Sequence, residues 1–420
     1  MSTTAFSQNP PVPGRWAARF FTIWIGQAFS LVGSALVQFA LVWWLTQKTG
    51  SATVLATASL VSLLPQIVLG PFAGALVDRL NRRMIMIAAD SAIAIATGGL
   101  IYLFASGKIQ IWHVYVIGFI RSLGGAFHQP AMMASTTLMV PNKHLARVAG
   151  LNQTLQGVIT IFSPPLGALL ISLMPTQNVL MIDIGTAALA VFPLLFLSIP
   201  QPAPRMAANG EIQRTSYFQD LCEGFVYLVK QRGLLGITLL AMLLNFLLSP
   251  AASLMPLVVT KVFNGDATQL AWTESLFGIG AIVGGILLSV WGGFHRRIAT
   301  TLSGVIGIGI GVFLIGIIPA QYFFLLLAAN FLLGFAQVFA NGPLSAIFQS
   351  AVAPEVQGRV LSLISAGAVA MMPLSLMVAG PLSDGLGVRI WYWVGGIICI
   401  AVTIAATSIP AIINVDQVTQ

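Results

Sequence analysis

The sequence predicts an all-α membrane protein, with twelve transmembrane helices in two six-helix halves. Three observations carry that expectation. Only 7% of the 420 residues are charged, 19 basic and 11 acidic, while 57% are apolar; an average soluble protein carries about 25% charge, and a soluble fold of this length would need it to cover its surface. The apolar residues gather into twelve stretches, each close to the roughly 20 residues that cross a bilayer as a helix. One long polar segment, residues 200–233, separates the first six from the last six. A soluble enzyme and a disordered or fibrous chain are excluded on these grounds. The 41 glycines, with 25 Phe, 9 Trp and 6 Tyr, suit helices packed closely in lipid.

Residues 1–18 are polar and proline-bearing, without the short apolar core and small-residue cleavage site of a signal peptide, so the first stretch is expected to serve as an uncleaved insertion signal. The spans then read 20–46, 52–77, 84–106, 112–140, 150–174 and 178–199, and after the polar segment 234–261, 271–292, 298–318, 321–351, 360–383 and 388–410. The polar segment opens with Pro200, Pro202 and Pro204 and continues through Arg205, Glu211, Arg214, Asp220, Glu223, Lys230 and Arg232. It divides the chain into an N-terminal half (1–199), a cytoplasmic linker (200–233) and a C-terminal half (234–420).

Charge sets the orientation. Alternate segments hold Arg15, Arg19, Arg79, Arg82, Arg83, Lys143, Arg147, Arg205, Arg214, Lys230, Arg232, Arg296, Arg297 and Arg359, whereas the opposite set holds only Lys48, Lys108, Lys261 and Arg389. Basic residues stay on the cytoplasmic side, which puts both termini of this multi-pass protein there. The same bias explains the +8 net charge without a nucleic-acid partner. Cys222 and Cys399 lie 177 positions apart and read as two unpaired thiols.

The halves repeat one another. In span four, Ile120-Arg121 leads through Phe127-His128-Gln129-Pro130 to Val140-Pro141; in span ten, Asn341-Gly342-Pro343 leads to Ala353-Pro354, and in both the prolines are eleven apart. Each is followed by an Arg-Val pair, Arg147-Val148 and Arg359-Val360. Two duplicated units rocking about a shared site are the physical basis of alternating access.

The loop between spans two and three reads Gly74-Ala75-Leu76-Val77-Asp78-Arg79-Leu80-Asn81-Arg82-Arg83. Glycine lets helices approach, and Asp78 with the arginines can form charge pairs and helix-end contacts that hold one conformation and release in another. Positive-inside charge alone would need neither the aspartate nor the glycine. This Gly-x-Leu-x-Asp-Arg-x-x-Arg-Arg pattern resembles the signature loop of the major facilitator superfamily, with a weaker echo at Gly292-Gly293-Phe294-His295-Arg296-Arg297, where the aspartate is missing. Ile23-Trp24-Ile25-Gly26-Gln27-Ala28, Leu45 to Ala52, Leu76-Val77-Asp78-Arg79, Met84 to Asp90, Phe119 to Gly124 and Gly358 to Ile364 resemble the bacterial macrolide-efflux proteins. The resemblance runs over nearly the whole chain and implies the superfamily's fold and secondary drug export, with Gly74, Asp78, Arg79, Arg82, Arg83 and Asp90 as a cytoplasmic conformational gate.

Arg121 is the one Lys or Arg deep inside a span, where an uncompensated charge costs several kcal/mol, so it must face water or a partner. Its setting, Arg121-Ser122-Leu123-Gly124-Gly125-Ala126, resembles the fourth-helix arginine motif of drug/proton antiporters, which implies a part in proton coupling; a structural arginine pairing with a carbonyl or carboxylate is the alternative. His128, seven residues on, shares its helix face. Ser163-Pro164-Pro165-Leu166-Gly167-Ala168 only partly resembles the antiporter pattern, and a proline kink explains it as well. Four carboxylates lie in or near spans: Asp90, Asp183, Glu274 and Asp384. Asp90 is expected to pair with the loop arginines and Asp384 to cap or solvate its helix end, leaving Asp183 or Glu274 as proton carrier.

Gln27, Ser34 and Gln38 share one face of span one; Asn330, Gln337, Asn341 and Ser345 do so in span ten; Asn245 and Ser249 add to them from span seven. In the superfamily these helices line the central cavity, so Gln27, Ser34, Gln38, His128, Asn245, Gln337 and Asn341 are the expected cavity residues, although interhelical hydrogen bonding would use the same stripes. Neutral amides among aromatics suit a bulky, partly apolar ligand better than a small anion. No phosphate loop of the G-x-x-x-x-G-K-[ST] type, no HExxH and no GxSxG occurs. The expected activity is therefore export of a hydrophobic compound, a macrolide foremost, in exchange for protons, by a monomer with no bound cofactor that is driven by the proton gradient. A carrier of another solute (siderophore or metabolite, exported or imported) and a non-transporting receptor or scaffold are the alternatives.

Overall fold

The computed structural model describes residues 16–77, 80–200, 225–352 and 356–415. Among these residues the long elements are all helical: α1 (Trp16–Thr49), α2 (Ala52–Val77), α3 (Arg82–Ala105), α4 (Ile111–Met139), α5 (Asn142–Leu173), α6 (Thr176–Phe196), α7 (Arg232–Leu257), α8 (Ala267–Trp291), α9 (Arg297–Ile317), α10 (Phe323–Ala351), α11 (Gln357–Leu386) and α12 (Arg389–Ala406). No strand occurs among the described residues. A helix satisfies every backbone polar group within its own segment, which lipid demands. The predicted twelve segments are present at the expected places. Eleven are long and apolar enough to cross a membrane. The twelfth, α4, falls below that apolarity because it carries Arg121, His128 and Gln129; it packs on both α2 and α3. Most of the predicted linker, with Cys222, lies outside the described residues, as do Asp78 and Arg79.

Within each half short connections reverse the chain at each step, and α1 starts, α6 ends, α7 starts and α12 ends at the same, arginine-rich face, the basic end. In the first half α1 packs on α5 and α6, α3 on α4 and α6, and α2 on α4; in the second, α7 packs on α11 and α12, α9 on α10 and α12, and α8 on α10. The halves meet through α2 with α11 and α5 with α8.

The two ends differ in how the core is joined. At the end opposite the basic one, a single apolar cluster draws on both halves, with Trp43, Leu45 and Leu55 against Leu254, Met255, Ala379 and Trp391. At the basic end each half has its own cluster: Phe20, Met86, Val140 and Leu194 in one, Ile237, Leu302, Ile347 and Val360 in the other. The molecule is sealed at one end and divided at the other.

Asp384 reinforces the seal. From the end of α11 its carboxylate accepts hydrogen bonds from the Ala52 and Thr53 amides (2.7 and 3.0 Å) and from Ser51 Oγ (2.7 Å). These are orphan donors at the N-terminus of α2, in the other half, where a negative charge also meets the positive end of the helix dipole. Asp384 thus caps a helix of the opposite half, whereas the sequence suggests a role at its own helix end. One turn before it, Gly380 permits the approach, since a Cβ there would lie 2.9 Å from Thr53 Cα.

Candidate functional site

A cavity of about 650 Å³ lies between the halves. Most of its wall comes from α7, α8, α9 and α10, and only α1 and α5 line it from the first half. It reaches toward the basic end past Ile237, Ile298 and Leu344, and the joint apolar cluster closes it at the other end. Its size is that of a site for one sizeable small molecule.

Of the cavity residues expected from sequence, Gln38, Asn245, Gln337 and Asn341 line it, together with Ser249 and Asn330. Several of these amides spend a donor on their own helix: Asn245 Nδ2 on the Ala241 carbonyl (2.9 Å), Asn341 Nδ2 on that of Gln337 (3.1 Å) and Asn330 Nδ2 on that of Leu326 (2.9 Å). Their carbonyl oxygens are left as acceptors. Glu274, on α8, also lines the cavity, and its carboxylate makes no hydrogen bond or ion pair with any described residue. No Lys, Arg or His stands among the described lining residues. The wall is apolar, with acceptors and a single unpartnered negative group.

Next to Glu274, Ser275 Oγ donates to the Ile161 carbonyl of α5 at 2.7 Å. That carbonyl is free because its ordinary helical partner four residues on, Pro165, has no N–H. The proline pair of α5 thus supplies an acceptor for a bond between the halves, which the sequence left as a kink or a motif fragment.

Gln27, Ser34 and His128 do not line the cavity, contrary to expectation; they face buried carboxylates of the first half. Asp183, 1% exposed, receives Arg121 Nη1 at 2.5 Å, Thr97 Oγ1 at 3.0 Å and Ser34 Oγ at 3.1 Å, and Arg121 Nη1 also donates to Thr97 Oγ1 at 2.7 Å. Gly33 lets α1 come this close, since a Cβ there would lie 3.3 Å from Asp183 Cα. Two of the three groups expected to act in proton coupling, Arg121 and Asp183, are therefore one buried ion pair, and Asp183 does not open on the cavity. Closer to the basic end, Asp90 receives Gln27 Nε2 at 3.0 Å, and His128 Nε2 stands 3.4 Å from its other oxygen. Asp90 faces inward instead of pairing with Arg82 or Arg83. A buried carboxylate must be supplied with donors, and Gln27 and His128 are the ones within reach.

The described gate arginines are held inside the first half. Arg82 donates to the Ala134 carbonyl of α4 (2.8 Å), and Arg83 to the carbonyls of Leu194 and Leu195 (2.6 Å for the latter). The last carbonyls of α6 lack helical partners and carry the negative end of its dipole, which a guanidinium satisfies. Gly74 lies within α2, and Asp78 and Arg79 are outside the described residues. Sequence reasoning missed Thr97, although it sits seven residues from Asp90 on the same helix face.

Comparison with known proteins agrees with this architecture. The family model for the Major Facilitator Superfamily matches residues 23–257 and 234–412. The chain is 36% identical over 389 residues to Macrolide efflux protein A of Streptococcus pyogenes, covering 92% of this chain and 95% of the relative. It is 25% identical over 397 residues to Multidrug efflux pump Tap of Mycolicibacterium fortuitum, covering 91% of this chain and 94% of the relative. Among solved structures, a bacterial homologue of the iron transporter ferroportin in an inward-facing state superposes with a TM-score of 0.69 at 14% identity, over 93% of this chain and 98% of that one. At that identity the likeness concerns the fold alone.

Proposed function

The chain belongs to the major facilitator superfamily, and from that premise we propose that it exports bulky apolar compounds, macrolides foremost, in exchange for protons. It is a multi-pass membrane transporter, not an enzyme. Its relatives over nine-tenths of the chain are named for macrolide and multidrug efflux, and the cavity has the size and apolar wall such a compound needs.

The observation that carries the proton half of this reading is Glu274. A carboxylate facing an apolar cavity with no partner is costly in its charged form, so it favours either a proton or a positively charged group on the substrate. Occupancy by one excludes the other, and that exclusion is the coupling. A substrate bearing an amine fits the acceptor-rich wall better than an anion does. With the basic end toward the cytoplasm, the sealed state would load substrate from inside. Rocking of the two halves (1–199 and 234–420, joined by the linker 200–233) would part Asp384 from α2 and expose Glu274 to the outside, where a proton displaces the substrate. Gly74, Asp78, Arg79, Arg82 and Arg83 would then hold the cytoplasmic side.

The test is erythromycin accumulation in cells expressing the protein, with and without a protonophore. Low accumulation that rises when the gradient collapses is the expected result. Low accumulation indifferent to the protonophore would remove the proton from the mechanism. Accumulation unchanged by expression would reject macrolide export, and a screen in everted vesicles would then separate a carrier of another solute from a receptor or scaffold.

A further inference from the structure

The buried polar residues of the first half repeat at one interval. Gln27 and Ser34 on α1, Asp90 and Thr97 on α3, and Arg121 and His128 on α4 are each seven apart. Seven residues is two helical turns, about 10 Å, so these side chains form two stacked tiers. The upper tier, Ser34–Thr97–Arg121–Asp183, contains one guanidinium and one carboxylate and is neutral in itself. The lower tier, Gln27–Asp90–His128, has one carboxylate and an amide; with that carboxylate ionised, the tier is neutral only if the imidazole carries a positive charge.

Among the described residues no other charge supplies the missing one. On α3, Arg82 and Arg83 are committed to carbonyls of Ala134, Leu194 and Leu195. On α4 and α6, Arg121 and Asp183 are committed to each other. The described part of α2 has no ionisable residue, and on α1 the charged residues are Arg19 and Lys48, near its two ends. On α5, His144 stacks on Trp16 near the basic end, and Lys143 and Arg147 flank it. Asp90 is 5% exposed, and His128 Nε2 is buried without a hydrogen bond of good geometry, while the ring as a whole keeps a 16% opening to its surroundings.

We propose that Asp90 and His128 form a proton-binding pair: His128 takes a second ring proton and holds it on Nε2 against Asp90 Oδ1, with Gln27 fixing the other carboxylate oxygen. Gaining the proton turns a 3.4 Å near-contact into a charge-assisted hydrogen bond between α3 and α4, which also draws on α1 through Gln27. Its use in transport rests on the proton-exchange reading above, whereas the proton site itself does not.

The experiment is nitrogen NMR of purified full-length protein labelled with ¹⁵N-histidine, titrated from about pH 5 to about pH 8, the range in which imidazole exchanges its proton. His128→Gln identifies the His128 signals among the four histidines. The expected result is a doubly protonated His128 ring in the wild type at about pH 7, lost in Asp90→Asn. Gln27→Leu, which leaves His128 as Asp90's remaining donor, should keep the doubly protonated ring and serves if Asp90→Asn fails to fold. A His128 ring singly protonated throughout the titration would overturn the proposal, as would a ring whose titration is the same in Asp90→Asn or is abolished in Gln27→Leu. None of these readings depends on transport, so a protonophore-insensitive efflux would reject the antiport reading and leave this one to its own data.

Discussion

The duplicated helices α4 and α10 do opposite things with the same position. Aligned on Pro130 and Pro343, Arg121 falls opposite Gly334 and His128 opposite Asn341. In α4 the charged side chains turn into their own half, one onto Asp183 and the other toward Asp90. In α10, Gly334 leaves no room for a side chain, since a Cβ would collide with the Phe277 backbone of α8, and Asn341 lines the cavity. The first half therefore buries charges paired with one another, and the second presents a neutral wall with one unpaired carboxylate. The halves share a scaffold and divide the labour: one is locked by polar bonds, the other supplies most of the surface a ligand would touch.

Three single substitutions and one double variant would break or sharpen that contrast. The largest effect should come from Arg121→Ala, which leaves Asp183 buried and uncompensated, at a cost of about 3–5 kcal/mol. Thermal unfolding in detergent should show it as a much lower midpoint. Replacing both partners with apolar residues (Arg121→Met with Asp183→Leu) should recover most of that stability, because removing a whole buried pair is often close to neutral. If efflux returned along with stability in the double variant, the pair would be purely structural; continued loss would assign it to the transport cycle.

Glu274→Gln should not lower the unfolding midpoint, since the side chain has no partner among the described residues to lose and the costly charged form is removed. Efflux driven by a pH gradient should fall by about tenfold or more, equivalent to about 1.4 kcal/mol or more. Gradient-driven efflux at the wild-type level in this variant would move the coupling group elsewhere. The smallest effect should come from Asp384→Ala, the loss of one helix cap worth about 0.5–2 kcal/mol. It should favour opening at the sealed end, read as faster labelling of a cysteine placed at Ala56 by a membrane-impermeant thiol reagent. Unaltered labelling would mean that the apolar cluster alone holds that end.

Much of this was legible in the chain. Scarcity of charge and the length of the apolar runs demanded membrane helices, because lipid accepts little else, and the matched proline intervals around Pro130 and Pro343 announced the duplication. The need of Arg121 for a partner was equally legible, from the cost of a lone charge at that depth. Its partner was not. Asp183 stands 62 residues away on α6, and Ser34 reaches the same carboxylate from 149 residues away. Periodicity tells which residues share a helix face, but not which neighbour the face meets, and so Gln27, Ser34 and His128 read as cavity residues when they are donors to buried acids or neighbours of them.

Sequence by itself determined the class of the protein, its helices, its internal repeat and the kinds of group that must be satisfied. Tertiary structure alone decided the pairings: Asp183 with Arg121, Asp90 with Gln27, Asp384 with the start of α2, and Glu274 with none of the described residues. The reason is physical. Burying apolar helices is a property of each segment, read from its own composition, whereas satisfying a buried charge depends on a donor brought from another helix at hydrogen-bond distance, and only the packed fold sets that distance.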